Sequence, residues 1–323
     1  MILVSGATGF IGSAIVARLI ASNVPVRRVV RNLVCGLADA EDTVNIGDLG
    51  PSTEWNHALT GVSVVIHTSA RVHVMTDGVT DSLGEFRQAN VAGTLHLANQ
   101  AASMGVKRFI FLSSIKVNGG QTLCGQRYTP NDIPQPSDPY GISKREAEDG
   151  LRRVAEMTGM EVVIIRPVLV YGPGVKGNFL SMMRWLYKGI PLPLGGIQNA
   201  RSLVALDNLV DLVVCCLDHP EAANQTLLVS DREDLSTTDL LRRTACAMKV
   251  EAKLFSAPAF IIKTGASLLG QGDVGLRLFG SLQVDITKTI SLLGWSPPFT
   301  VDHSLKATAQ YFLSNQAGYQ GSL

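Results

Sequence analysis

The sequence predicts an α/β protein built on a doubly wound parallel sheet, followed by a smaller, mostly helical lobe. Three observations carry that expectation. Short apolar runs alternate with longer amphipathic ones through the first half, a glycine-rich turn joins the first such pair, and the pattern loosens after Pro167. Buried strands separated by helices imply parallel pairing, right-handed crossovers and helices on both sheet faces.

Residues 2–5, 26–31, 62–67, 109–113 and 162–166 read as buried strands, each a short apolar run. Residues 11–21, 86–104 and 140–158 carry helical periodicity between them. The stretch 123–139 is interrupted by Pro130, Pro134, Pro136 and Pro139 and reads as loop. These elements place a dinucleotide-binding domain at residues 1–166 and a substrate-binding lobe at 167–323. The strand-like run 226–230 has the composition to return to the main sheet, so the two parts are expected to interleave.

The composition is 46% hydrophobic and 17% charged, enough apolar material for a large core and unlike a disordered chain. Lys+Arg total 28 against 27 Asp+Glu, a net charge of +1. Such balance offers no broad field for nucleic acid or an anionic membrane, so any anion site must be local. Five cysteines without a Cys-x-x-Cys pair read as the reduced thiols of a cytoplasmic protein. The opening Met1-Ile2-Leu3-Val4-Ser5-Gly6 lacks a basic region and reads as a strand rather than a signal peptide. The apolar run 257–270 contains Lys263 and falls short of the ~18–20 residues of a membrane span. His67 and His73 stand six apart without a third ligand at helical spacing, so they read as core or loop histidines and no metal site is expected.

Gly6-Ala7-Thr8-Gly9-Phe10-Ile11-Gly12 follows the first strand and opens the first helix. Gly6 suits the tight turn, Gly9 the approach of a pyrophosphate, and Gly12 close packing of helix on strand; this is a Rossmann-type signature. Thr8, Phe10 and Ile11 supply the backbone N–H groups on which the pyrophosphate would rest. The second strand ends at Arg31, about twenty residues beyond Gly12, where an acidic residue would favour NAD. Arg31, with Arg27 and Arg28 nearby, instead offers positive charge to a 2′-phosphate, which points to NADP with NAD as the alternative. Asp48 and Leu49, after the third strand, are placed to touch adenine.

Tyr140 and Lys144 lie four apart at the start of a helix and share one face. An ammonium beside a phenol favours the phenolate and makes the tyrosine a proton carrier near neutral pH. Ser113 and Ser114 end the strand just before the proline-rich loop, and parallel-sheet enzymes bind ligands at the carboxyl ends of strands. Ser114, Tyr140 and Lys144 are therefore the expected catalytic set.

The chain resembles the extended short-chain dehydrogenase/reductases, the NAD(P)-dependent nucleotide-sugar epimerase/dehydratase group. The resemblance rests on the glycine turn, Asn90-Val91-Ala92-Gly93-Thr94, Phe111-Leu112-Ser113-Ser114, Tyr140 to Lys144, Arg166-Pro167-Val168-Leu169-Val170-Tyr171-Gly172-Pro173-Gly174, Arg201-Ser202-Leu203-Val204, Asp207-Asn208-Leu209 and Leu293-Gly294-Trp295. It implies that Ser114 binds the reacting oxygen, that Tyr140 transfers its proton and that Lys144 holds the nicotinamide ribose. It also implies that Asn90 and Ser113 support the cofactor site and that Pro167 and Val168 lie beside the nicotinamide. Arg201 would pair with the diphosphate of a nucleotide sugar, as guanidinium groups bind phosphate oxygens in pairs. Residues 191–195 would pack near the nucleotide base.

The chain departs from that pattern in informative places. Ile115-Lys116-Val117-Asn118-Gly119 stands where epimerases more often carry a small residue and then Val-Tyr-Gly. Leu169 occupies the position of a diphosphate-binding asparagine, whose contact Asn178 would take over. With Arg31, these departures favour a reductase that exchanges NADPH, similar to bacterial enzymes reducing the 4-keto group of UDP-4-keto-6-deoxy-N-acetylglucosamine for surface polysaccharide. The alternative is a 4-epimerase with tightly held NAD; a non-catalytic NADP sensor, or a reductase of steroid or flavonoid ketones, ranks below both. A UDP-linked substrate is expected before a dTDP-linked one, and the resemblance implies a homodimer.

Overall fold

The computed structural model describes residues 1–32, 42–72, 82–123, 125–258 and 279–320. Cys35, His73, Cys124 and most of the run 257–270 lie outside the described residues.

Seven parallel strands form the main sheet: β1 (Ile2–Ser5), β2 (Val26–Val30), β3 (Thr43–Asn45), β4 (Val64–His67), β5 (Arg108–Leu112), β6 (Glu161–Pro167) and a late strand, β9 (Thr226–Val229). Their order is β3-β2-β1-β4-β5-β6-β9, so the chain winds outward from β1 and then returns to its other side. The place where the order reverses, between β1 and β4, opens a crevice at the carboxyl ends of the strands. The sequence expectation of a doubly wound sheet is met, and the run near residue 226 does join it, Thr226 to Val229 pairing with Ile164 to Pro167.

Alternation along the strands explains why they read as continuous apolar runs. Ile110 and Leu112 face one layer, where α1 (Phe10–Ala21) packs through Ile15 and Leu19. Phe109 and Phe111 face the other, against α4 (Thr94–Ser103) and α5 (Pro139–Thr158), which contribute Leu97, Ala101, Ala147 and Leu151. Each such aliphatic or aromatic side chain, fully buried, stabilises by about 1.5–3 kcal/mol. Asp138 caps α5, its Oδ1 accepting from the Gly141 amide at 2.7 Å, and Pro139 stands at the first turn. Left-handed Gly159 ends it.

The expected helix over residues 86–104 is broken. A short helix, α3 (Ser82–Phe86), leads into a π-helical turn over Arg87–Gly93 before α4 begins. Gly93 lets Leu49 pack closely on this turn, because a Cβ there would stand 2.9 Å from the Leu49 side chain. The turn also rotates Asn90 into the interior, where it is fully buried.

The C-terminal part is largely helical, with α6 (Gly177–Tyr187), α8 (Thr237–Ala247), α9 (Thr287–Leu293) and α10 (Val301–Gln320). It holds a small sheet of β7 (Leu169–Tyr171), β8 (Arg201–Ala205) and β10 (Asp234–Leu235). The helix after β8, α7 (Leu206–Cys215), packs beside α1 under the main sheet. Asp231, just past β9, joins the two parts: its carboxylate accepts from the Ala205 amide, Asn208 Nδ2 and Tyr171 Oη. Among the described residues no helix is long and apolar enough to cross a membrane.

The deepest polar contact is an ion pair. Arg166 of β6 donates through Nε and Nη2 to the two oxygens of Glu148 on α5, at 2.9 and 2.6 Å, with both residues essentially inaccessible. Ser113 Oγ and Arg152 Nη2 add further donors to the same carboxylate, and Arg166 Nη1 reaches Asn118 Oδ1. Removing one partner of a buried pair strands the other charge, at a cost of about 3–5 kcal/mol. Glu148→Gln is expected to lose that much in urea denaturation, whereas a loss under about 1 kcal/mol, the range of an exposed pair, would show that the pair is not stabilising.

Candidate active site

The glycine turn leaves room for backbone only. Gly6 adopts φ +72°, and a Cβ on it would meet Thr68 Oγ1 at 2.8 Å; one on Gly12 would overlap the Gly6 carbonyl. The Gly9 amide closes the turn on the Gly6 carbonyl at 2.9 Å. Helix α1 then starts at Phe10 with no side-chain cap and no acidic residue in its first turn. Its opening N–H groups and the positive end of its dipole are thus left for an anion, with Thr8 and Gly9 exposed above them. These residues fit a dinucleotide pyrophosphate. A groove of about 810 Å³ borders the turn at Thr8 and Gly9 and extends along the flank of α1 at Ala17 and Arg18, facing Asp207 and Asp211.

At the ends of β2 and β3, Arg31 is not a lone cation. Its Nε lies 3.1 Å from Asp48 Oδ1, both side chains exposed, while Leu49 is half-buried against the π-helical turn. Arg27, expected to reinforce the positive charge, is used elsewhere: Nη1 donates to the carbonyls of Ala58 and Thr60 at 2.8 and 2.7 Å. Those carbonyls end the short helix α2 (Asn56–Leu59), so this guanidinium serves as its cap.

Lys144 and Tyr140 share the first turns of α5, as their spacing predicted. Lys144 is buried, donates from Nζ to the Leu112 carbonyl at 2.8 Å, and lies 4.4 Å from the Phe111 ring centre and 6.0 Å from that of Tyr140. Burial pushes its pKa down to about 7, against the pull of Glu148 one turn further along. The Tyr140 phenol is pushed above its ordinary range by burial and then by the Asp138 carboxylate. Both groups share one desolvated site, which disfavours charge on either. Ser114 sits at the end of β5 as the cap of a 3₁₀ turn over Ile115–Val117, its Oγ accepting from the Lys116 amide at 3.2 Å.

Asn90 is a brace. Its Oδ1 accepts from the Arg71 amide, and its Nδ2 donates to the Arg71 carbonyl and to Ser143 Oγ, tying the exit of β4 to α5. Ser113, by contrast, turns its hydroxyl into the core onto Glu148. Pro167 ends β6 opposite Val229, and Val168 is buried. Asn178 is exposed in the first turn of α6. Arg201 is half-buried and donates to the Gly280 carbonyl at 2.9 Å. Nearby, Pro193, Asn199 and Ser281 line a cleft of about 270 Å³ beside the 191–195 strip.

Sequence reasoning missed two residues beside Tyr140, namely Lys116 and Asp138, whereas His67 is the core histidine it was read as. Lys116 stands 5.5 Å from the Tyr140 ring centre and pairs with Asp138 Oδ2 at 2.5 Å. The unusual lysine in the run after Ser114 was its only signal. His67, at the end of β4, is completely buried between Ser5 Oγ at 2.6 Å and Thr94 Oγ1 at 2.9 Å, with its ring stacked on Phe111. Burial, with the nearby Lys144 charge, pushes its pKa down to about 3. Among the described residues no cluster of three metal-ligating side chains occurs.

Residues 2–229 match the NAD dependent epimerase/dehydratase family. A UDP-glucose 4-epimerase of Vibrio cholerae is 48% identical over 316 residues, covering 97% of this chain and 95% of that protein. Among solved structures, a UDP-glucuronic acid 4-epimerase from Bacillus cereus in complex with NAD superposes with TM-score 0.78 at 20% identity, covering 97% and 98% of the two chains. RMD from Pseudomonas aeruginosa, complexed with NADPH, gives 0.72 at 23% identity, with 97% and 99% covered. These two structural likenesses establish the fold.

His67 gives the site a pH signature. Between about pH 3 and 6.5 the unfolded chain binds a proton at this position that the folded chain refuses, so stability from this group falls as pH drops through that window. At its steepest the slope approaches ~1.4 kcal/mol per pH unit. His67→Asn is expected to be less stable at pH 7 but to lose less on going to pH 4; an unchanged slope in urea titrations would refute the assignment.

Proposed function

The chain belongs to the NAD dependent epimerase/dehydratase family, and we propose that it is a nucleotide-sugar 4-epimerase that retains NAD through turnover. One observation carries this reading: 48% identity to a UDP-glucose 4-epimerase across nearly the whole of both chains. It reverses the order of the sequence analysis, where reduction of a 4-keto sugar came first. The weight given there to Arg31 is also reduced, because Asp48 pairs with it and a carboxylate beside the adenosine ribose opposes a 2′-phosphate while accepting from a 2′-hydroxyl. NAD is accordingly proposed over NADP.

Bound NAD would supply a reversible hydride acceptor for C4 of the sugar, so that no external reductant would be consumed. Tyr140 takes the C4 hydroxyl proton as the carbonyl forms and gives it back as the carbonyl is reduced. Ser114, at the carboxyl end of β5, holds the reacting oxygen by hydrogen bonding. Lys144 orders the cofactor ribose and, when charged, lowers the cost of the phenolate. Gly6, Gly9 and Gly12 admit the pyrophosphate, with Thr8, Phe10 and Ile11 around it, and Asn90 and the backbone at Ser113, Pro167 and Val168 shape the nicotinamide end. On the sugar side, Arg201 and Asn178 contact the diphosphate, and the cleft beside Pro193 takes the base.

In this reading residues 1–166 with β9 carry the cofactor, and residues 167–323 otherwise carry a UDP-linked sugar. A homodimer belongs to the same proposal. The purified protein is expected to contain NAD and to interconvert UDP-glucose and UDP-galactose without added cofactor. Tyr140→Phe should keep the NAD and lose about 10²–10⁴ of kcat. Turnover that requires added NADPH and consumes a 4-keto sugar would replace the epimerase reading by the reductase one.

A further inference from the structure

We propose that Lys116 and Asp138 form a positioning pair that fixes Ser114 against Tyr140 and tunes the charge around the phenol; the inference rests on those two residues serving the reaction as described above. Two contacts join the 3₁₀ turn after β5 to the start of α5, and one hydrogen bond within each completes the arrangement. The Lys116 amide donates to Ser114 Oγ at 3.2 Å, and Lys116 Nζ reaches Asp138 Oδ2 at 2.5 Å. Asp138 Oδ1 accepts from the Gly141 amide at 2.7 Å, and the Lys116 carbonyl lies where a Cβ on Gly141 would stand only 2.8 Å from it.

One carboxylate therefore does two jobs. One oxygen caps the helix that carries Tyr140, and the other holds the cation of the turn that carries Ser114. The turn is anchored from behind as well, since Asn118 donates to the Thr129 carbonyl and receives Arg166. With the turn held behind by Asn118 and packed on Gly141 in front, the Lys116–Asp138 pair is the charged link between the turn that carries Ser114 and the helix that carries Tyr140.

The same pair sets an electrostatic balance. Among the described residues the charged groups around the Tyr140 ring are Lys144 on its own helix, Asp138 at the cap and Lys116 on the 3₁₀ turn, while α3 packs Phe86 edge-to-face against it. Asp138 alone makes the phenolate costlier. Lys116, 5.5 Å from the ring centre, offsets it. The pair as a whole is half-exposed, so its contribution to stability is small and its effect should appear in turnover.

The test is a cycle of Lys116→Met, Asp138→Asn and the double variant on purified, NAD-loaded enzyme, with Lys116→Arg as the conservative control. Asparagine retains an oxygen to cap the Gly141 amide, and melting temperature and bound NAD establish that each variant is folded. Lys116→Met is expected to lower kcat about tenfold or more with KM little changed. It should also move the acidic limb of the kcat–pH profile upward by roughly half a pH unit or more. Adding Asp138→Asn should bring that limb back, and Lys116→Arg should stay near wild type. Folded Lys116→Met enzyme with wild-type kcat and limb would overturn the proposal, and so would a lower kcat with an unmoved limb. Full activity in Tyr140→Phe would instead overturn the reading beneath it, so the two failures are distinguishable.

Discussion

The arrangement depends on one buried carboxylate. Glu148 receives Arg166 from β6, Ser113 from the end of β5 and Arg152 from its own helix, and Arg152 in turn reaches Thr226 on β9. Three neighbouring strands are thus registered against α5 by a single group. An ionised carboxylate in the core is tolerated only when it is surrounded by donors in this way. The consequence for the site is geometric: with the helix fixed against the strand ends, Lys144, one turn before Glu148, can reach the Leu112 carbonyl.

The same burial that makes the pair possible governs the chemistry above it. Lys144, His67 and Tyr140 all sit where charge is expensive, and each is biased toward its neutral form. His67 takes no proton in the neutral range. It spans Ser5 and Thr94, linking β1 to α4 beneath the crevice.

Much of this was legible in the chain. The alternating runs gave the sheet, and residues such as Phe109 and Phe111, opposed to Ile110 and Leu112, show why a strand covered on both faces reads as apolar throughout. Gly6, Gly12, Tyr140 and Lys144 were recognisable because local spacing dictates where they lie. What escaped was non-local. The close packing of Leu49 on Gly93 in the π-helical turn spans more than forty residues, and no helical period encodes that contact. Arg27 read as added positive charge near Arg31 until its carbonyl partners at Ala58 and Thr60 were known. Lys116 looked like a mere departure from pattern because its partner, Asp138, lies across the proline-rich loop.

The position of β9 bears on how the molecule can be divided. The outer strand of the sheet is supplied some sixty residues after the strand it borders, Thr226 lying opposite Ile164. A fragment cut at the apparent boundary near residue 166 would present β6 as a raw edge, its ladder of amides and carbonyls open to any passing strand. Whatever evolutionary history gave the cofactor half its modular look, the polypeptide must extend past residue 229 before the β6 edge is covered, and a nascent chain would be most prone to self-association in that interval.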